Sequence, residues 1–92
     1  MNVYELSPRF ERCRSYYRKA YVIEDDNLTM LRSYETIVCT IDHARKVCNV
    51  AGRFSNTTAR HIREFLRQFD LYDLLPVGTL HACTLKFDRL TI

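Results

Sequence analysis

Ile62, Phe65, Leu66 and Phe69 fall at i, i+3, i+4 and i+7, the spacing that gathers four large apolar side chains on one side of a 3.6-residue period. Ser55, Asn56 and Thr57 stand just ahead of them. Any of the three can accept from the free N–H groups of a first helical turn, so the pattern predicts an amphipathic helix over residues 57–71. At about 100° per residue, Arg60, Arg63 and Arg67 cluster on the opposite side, with Glu64 and Gln68 beside them. His61 borders the apolar stripe one turn before Phe65.

Upstream, the period shortens from 3.6 to 2. Residues 19–24 (KAYVIE) alternate weakly and end in the turn cluster Asp25-Asp26-Asn27, which reads as a first strand. Residues 30–42 (MLRSYETIVCTID) put Leu31, Ile37, Cys39 and Ile41 on one parity and predict one long strand, bent at Ser33. After the loop His43-Ala44-Arg45, residues 46–54 (KVCNVAGRF) supply a third strand with Cys48, Val50 and Phe54 on one parity, and Gly52 suggests a bulge. Beyond the helix, a break at residues 73–78 (DLLPVG) leads to residues 79–87 (TLHACTLKF), a fourth strand or an extended tail. At the other end, Ser7-Pro8 offers an N-cap and a proline at the first helical position, with Phe10, Cys13 and Tyr17 sharing a face of a short helix or turn.

A helix and a small sheet cannot bury their apolar sides alone, so the expected fold is α+β. A three- or four-stranded antiparallel sheet packs on one main helix in the order β-β-β-α-β. Residues 1–92 form one expected domain, with residues 15–71 as its core unit and 72–92 as a C-terminal strand or tail. A chain of 92 residues is near the size where stability is marginal and homodimerisation is a common remedy.

Composition changes this picture little. The apolar fraction of 47% and charged fraction of 27% are those of an ordinary globular protein, and a net charge of +3 does not by itself demand a nucleic-acid partner. The distribution is more telling: Arg9, Arg12, Arg14, Arg18 and Lys19 crowd the N-terminal segment against the single acid Glu11, and Tyr16, Tyr17 and Tyr21 lie among or beside them. The start MNVYELSPRF has no apolar run of the leader type, and no stretch nears the ~20 apolar residues of a membrane span. The expectation is a cytoplasmic protein with reduced thiols and no membrane partner, in which Cys39 and Cys48 are small core residues.

Candidate chemistry is sparse. Cys39-x3-His43-x4-Cys48 with His81-x-Cys83 contains the ligand types of a tetrahedral zinc site, but the spacing is that of no common zinc module and two of the thiols lie on apolar strand parities, so no metal is expected. A nucleophilic Cys–His pair lacks an electropositive setting and an orienting third group. His61 with Thr57 or Thr58 lacks the third group as well. Two glycines, Gly52 and Gly78, exclude a glycine-rich phosphate loop. The expectation is a protein without cofactor and without catalytic activity, leaving recognition: Arg53, Arg60, Arg63 and Arg67, with His61, form the candidate partner-binding set.

Three blocks, SYYRKAYVIEDD, LRSYETIVCTID and RFSNTTARHIREFL, resemble those of a family of small proteins from bacteriophages, plasmids and other mobile elements of Gram-positive bacteria, a family of unknown function. The usual pattern is an aromatic-Lys-Ala strand, a Ser-Tyr-x-Thr-x-Val strand and a Tyr-Ser-x-Thr-Thr-x-Arg-His-Ile-x-Glu-Phe-Leu segment. Lys19, Ala20, Ser33, Tyr34, Thr36, Val38, Ser55, Thr57, Thr58, Arg60, His61, Ile62, Glu64, Phe65 and Leu66 occupy its positions. Phe54 stands where tyrosine is usual, and the tail from Tyr72 lies outside the pattern. The resemblance implies an accessory protein made inside a bacterial host. The expected partner is a host protein, for example a nucleic-acid-targeting defence machine such as a CRISPR effector. The alternative is a regulatory protein that grips nucleic acid directly through Arg60, Arg63 and Arg67.

Overall fold

The computed structural model describes residues 1–52, 55–75 and 82–87. Along the chain run β1 (Asn2–Glu5), β2 (Ala20–Asp25), β3 (Leu28–Ser33), β4 (Thr36–Asp42), β5 (Val47–Val50), helix α1 (Asn56–Gln68), a 3-10 turn (Tyr72–Leu74) and β6 (Cys83–Lys86). The strands form one antiparallel sheet in sequence order, β1-β2-β3-β4-β5-β6, with α1 inserted between its last two strands. The class is α+β, as the periodicities predict. The strand count is six rather than three or four, and the order is β-β-β-β-β-α-β.

Two elements explain the difference. The single strand expected over residues 30–42 is a hairpin: Ser33 pairs with Thr36, and Tyr34 turns the chain at φ 58°. Such turns usually advertise themselves with glycine or asparagine, and Ser-Tyr-Glu-Thr carries neither. The second element is β1, which pairs with β2 from Asn2↔Glu24 to Glu5↔Tyr21. Its four residues are exposed or half-buried, so they show no alternation to read. At the far end, Cys83–Lys86 joins the sheet beside β5; the expected start of that strand, residues 79–81, lies outside the described residues, as do Arg53 and Phe54.

The irregularity expected at Gly52 falls elsewhere. Register shifts opposite Leu31 and Arg32, which lets the successive residues Val38 and Cys39 both be buried. Gly52 instead allows a close approach: a Cβ there would lie 3.0 Å from Ala82 Cβ. Residues 9–18 form no helix.

Ser55 caps α1, its hydroxyl accepting from Thr58 N–H at 3.1 Å. The helix stops at Gln68 because Asp70 adopts φ 59°, while Leu71 N–H donates to Leu66 C=O at 2.8 Å and Asp70 N–H to Arg67 C=O at 3.1 Å. This is a Schellman closure with aspartate where glycine is usual, and Leu71 is buried beside it. Ile62, Phe65 and Leu66 lose all solvent contact against Ala20, Val22, Leu31, Cys39, Ile41, Cys48 and Val50 of the sheet. Each such side chain contributes about 1.5–3 kcal/mol of transfer free energy. Phe69, the fourth residue of the stripe, is half-buried with its ring 5.0 Å from that of Phe65. Among the described residues no helix is long and apolar enough to cross a membrane.

Candidate interaction surface

The arginine side of α1 is largely committed within the molecule. Arg60 Nε donates to Glu11 Oε2 at 2.6 Å, and the Arg67 guanidinium lies over the Tyr72 ring, 4.3 Å from its centre. Arg63 is half-buried, and Arg53 falls outside the described residues. The stripe that the helical period draws is real, but two of its three members already have partners.

His61 is not a boundary residue. It is fully buried, with Nδ1 2.8 Å from Ser33 Oγ, which in turn lies 2.9 Å from Thr58 Oγ1. The Tyr16 ring packs edge-on against the imidazole at 4.5 Å. Nε2 is buried, without a hydrogen-bond partner among the described residues. An unpaired lone pair is tolerated better in an interior than an unpaired N–H, which puts the single proton on Nδ1, donating to Ser33. Burial, reinforced by the nearby charges of Arg60 and Lys19 against the opposing effect of Glu11, pushes the imidazole below its ordinary value of 6.5. Ser33, Thr58 and His61 are the chemical types of a nucleophile and its base. Here they are 2%, 5% and 0% exposed, and they tie β3 to the first turns of α1.

Glu64, placed by the helical wheel beside the arginines, is 1% exposed. Its carboxylate accepts from three successive backbone N–H groups, Arg9 at 2.9 Å, Phe10 at 3.2 Å and Glu11 at 3.0 Å, and from Gln68 Nε2 at 2.6 Å. Burial opposes its charge, but these donors outweigh burial and hold the carboxyl below its ordinary value of 4.5. The N-terminal segment, which forms no helix, is thereby pinned as an irregular strap across α1. Glu11 extends the attachment. It accepts from Tyr16 Oη at 2.6 Å as well as from Arg60, and against the effect of burial these bonds hold it too below its ordinary value.

The strap turns one end of the molecule into a basic, aromatic surface. Arg9, Arg12, Arg14, Arg18 and Lys19 are all exposed, and so are Phe10 at 61%, Tyr17 at 73% and Tyr34 at 45%. Lys19 Nζ stands 5.9 Å from the centre of the Tyr34 ring. Tyr17 and Arg18 both adopt left-handed backbone, φ 53° and 61°. That conformation is fixed by Tyr17 N–H donating to Ser15 Oγ at 2.8 Å and Arg18 N–H donating to Glu5 Oε2 at 2.9 Å. The start of α1 faces the same end and has no acidic residue in its first turn, so the helix dipole adds to the positive potential. Acidic residues concentrate at the opposite end of the sheet. Glu24, Asp26, Asn27, Leu28, Thr29, His43 and Phe69 line a cleft there of about 260 Å³, with Asp25 and Asp42 close by in register.

The remaining candidates stay apart. Cys39 and Cys48 are buried in the core, as their parities predict, whereas His43 Nε2 lies 2.7 Å from Thr29 Oγ1 at the acidic end. His81 lies outside the described residues. Among the described residues, no group of three or more His, Cys, Asp or Glu is arranged to hold a metal ion. The basic crowding of residues 9–19 is legible in the sequence. The exposure of Phe10 and Tyr17 is not, because a proline-started helix would have turned both inward.

The model of the family of unknown function DUF8033 matches residues 4–74. That span runs from β1 to the 3-10 turn and contains the whole strap, the Ser33–His61 cluster and α1. No curated protein and no solved structure matches the chain.

Proposed function

The chain belongs to the family of unknown function DUF8033, and within it we propose a non-enzymatic recognition module, an accessory protein of a phage or other mobile element that binds a host protein in the bacterial cytoplasm. A nucleic-acid-targeting defence machine such as a CRISPR effector is the partner class that fits such an origin. The observation that carries this reading is the basic, aromatic end of the molecule. Arginine and tyrosine are the residue types that dominate binding energy at protein interfaces, and here Arg14, Tyr17 and Arg18 are exposed on a strap whose backbone is held in place, with Tyr34 of the β3–β4 turn exposed as well. Such a surface complements an acid-lined groove, for instance the metal-binding carboxylates of a nuclease.

The strap rather than the helix arginines is the place to test it. Reversing Arg60 would also break its pair with Glu11 and confuse folding with binding. Affinity capture from host lysate should retain a protein with the wild type and lose it with a Tyr17→Ala/Arg18→Glu variant of unchanged circular dichroism. Equal capture of the same protein by both would remove the reading.

Direct binding of single-stranded nucleic acid is the second reading. The exposed rings of Phe10, Tyr17 and Tyr34 favour it, because bases stack on such rings between phosphate-binding cations. Salt separates the two. Phosphate binding weakens steeply with ionic strength, and each lost arginine contact should reduce the slope of log K against log salt by about 1. Absence of any shift of single-stranded DNA or RNA at low salt would eliminate it.

A further inference from the structure

Cys39 Sγ and Cys48 Sγ lie 3.5 Å apart in the core, on neighbouring strands and two residues off direct opposition, since Cys39 faces Val50 and Cys48 faces Ile41. Cys83, on the next strand, also faces Val50, so it stands diagonal to Cys48 by the same offset, on the same face of the sheet. Three thiols from β4, β5 and β6 therefore converge. Their accessibility differs: Cys39 and Cys48 are 1% and 0% exposed, whereas Cys83 is half-buried. No part of the recognition surface uses them.

We infer that Cys39 and Cys48 are a covalent thiol-modification site, forming a reversible disulfide when a hydroperoxide enters through Cys83. The two sulfurs need to close by about 1.5 Å to reach bonding distance, and the bulge beside Cys39 gives β4 the local slack to do so. Either thiol can donate its S–H to the other; this bond pushes Cys39 well above its ordinary value of 9.0 and Cys48 below it, although burial opposes the second shift. Cys48 accordingly gives up its proton more readily than Cys39 and is the sulfur that attacks.

The steps balance. The Cys83 thiolate, a minor form because burial holds the thiol above its ordinary value of 9.0, takes an oxygen atom from the hydroperoxide to become a sulfenic acid, and the alcohol, or water if the oxidant is hydrogen peroxide, leaves with the proton that the thiol released. The Cys48 thiolate attacks the Cys83 sulfur, expelling hydroxide, which leaves as water with the proton that Cys48 gave up. The Cys39 thiolate then attacks the Cys48 sulfur, and the Cys83 thiolate departs and takes the proton that Cys39 released. The sum is two thiols and one hydroperoxide giving one disulfide, one alcohol and one water, with Cys83 regenerated. The product staples β4 to β5 beneath the helix.

The test treats the whole folded chain with hydrogen peroxide, blocks remaining thiols with iodoacetamide under denaturing conditions, and maps the digest without reduction. The expected result is a Cys39–Cys48 linked peptide, 2 Da lighter than the sum of its halves, which disappears with dithiothreitol, accompanied by a rise of a few degrees in Tm. Cys83→Ala, which leaves Cys39 and Cys48 themselves in place, should slow the peroxide-driven reaction at least tenfold. Cys48→Ala should leave Cys83 oxidised further, to sulfinic acid. Cys39→Val, an apolar replacement that keeps the core filled, should stop the sequence at Cys48–Cys83. Full alkylation of both Cys39 and Cys48 in oxidised wild type would overturn the site, and an undiminished rate in Cys83→Ala would overturn the route into it.

Discussion

The outer side of α1 and the strap that crosses it exchange the roles their sequences suggest. Arg60, Arg63 and Arg67 form the tidiest basic stripe in the chain, yet Arg60 is spent on Glu11 and Arg67 on Tyr72. Residues 9–19 read as a modest amphipathic turn, yet they present the exposed arginines and rings. A single buried carboxylate makes the difference. Glu64 anchors the strap through the N–H groups of Arg9, Phe10 and Glu11, and on this strap Phe10 and Tyr17 are exposed while Tyr16 is buried. Thr58, His61 and Glu64, polar residues of the same helix, have structural duties inside the molecule.

Removing the charge that pins the strap should therefore break the comparison most severely. Glu64→Gln keeps the shape of the side chain but places an N–H₂ group where a carboxylate oxygen accepts from the strap. Breaking a buried, charge-assisted network of this kind costs about 2–4 kcal/mol. Hydrogen exchange should show the amides of Arg9, Phe10 and Glu11 losing protection well before those of β3 and β4. Loss of protection spread evenly over the whole sheet would mean that Glu64 supports the core rather than the strap.

A smaller effect is expected at His61, and it has a pH signature. The imidazole is held below 6.5 in the folded chain, so the unfolded chain binds its proton first as the pH falls. Stability contributed by the neutral ring is complete above the ordinary value and drains away as pH drops below 6.5, at up to ~1.4 kcal/mol per unit, until the folded-state value is reached. Glu64 and Glu11, both held below 4.5, add a second loss beginning only near that value. Denaturant midpoints measured from pH 8 to pH 3 should fall in two stages. His61→Gln, which can still bond Ser33 but cannot titrate, should cost about 1 kcal/mol at neutral pH and abolish only the first stage. A first stage that survives in this variant would assign it to another group.

How far the fold can be read from the sequence divides along the same line. The helix and the inward set Ile62, Phe65 and Leu66 follow from periodicity, because an apolar period registers which way each side chain faces, while the capping cluster leaves Ser55, Asn56 and Thr57 open and the structure selects Ser55. The parities of Cys39, Ile41, Cys48 and Val50 follow for the same reason. The hairpin at Tyr34 does not, since a left-handed tyrosine is enforced by its surroundings, including its N–H bond to Lys19 C=O at 2.7 Å. Burial of Glu64 does not either: a carboxylate on a polar helix face points to solvent unless a distant segment brings donors to it, and those donors lie more than fifty residues away. Phe10, exposed on the candidate surface, lies on the segment that this long-range bond holds, so no local window of sequence contains its placement.

The smallest effect expected on stability is the one that most sharply separates a surface shaped for binding from one shaped for packing. Arg18 is exposed and adopts φ 61°, a backbone conformation that costs an ordinary residue about 1 kcal/mol and glycine almost nothing. Its side chain is exposed, while its N–H bond to Glu5 survives any substitution except proline. Arg18→Gly should therefore raise stability by roughly 0.5 kcal/mol, after allowing for the greater freedom of glycine in the unfolded chain, seen as a small upward shift in denaturant midpoint. Partner capture should fall in the same variant, because the arginine is gone. If instead the midpoint drops and capture is unchanged, the left-handed pair at Tyr17 and Arg18 serves the fold, and the strap loses its claim to be a recognition element.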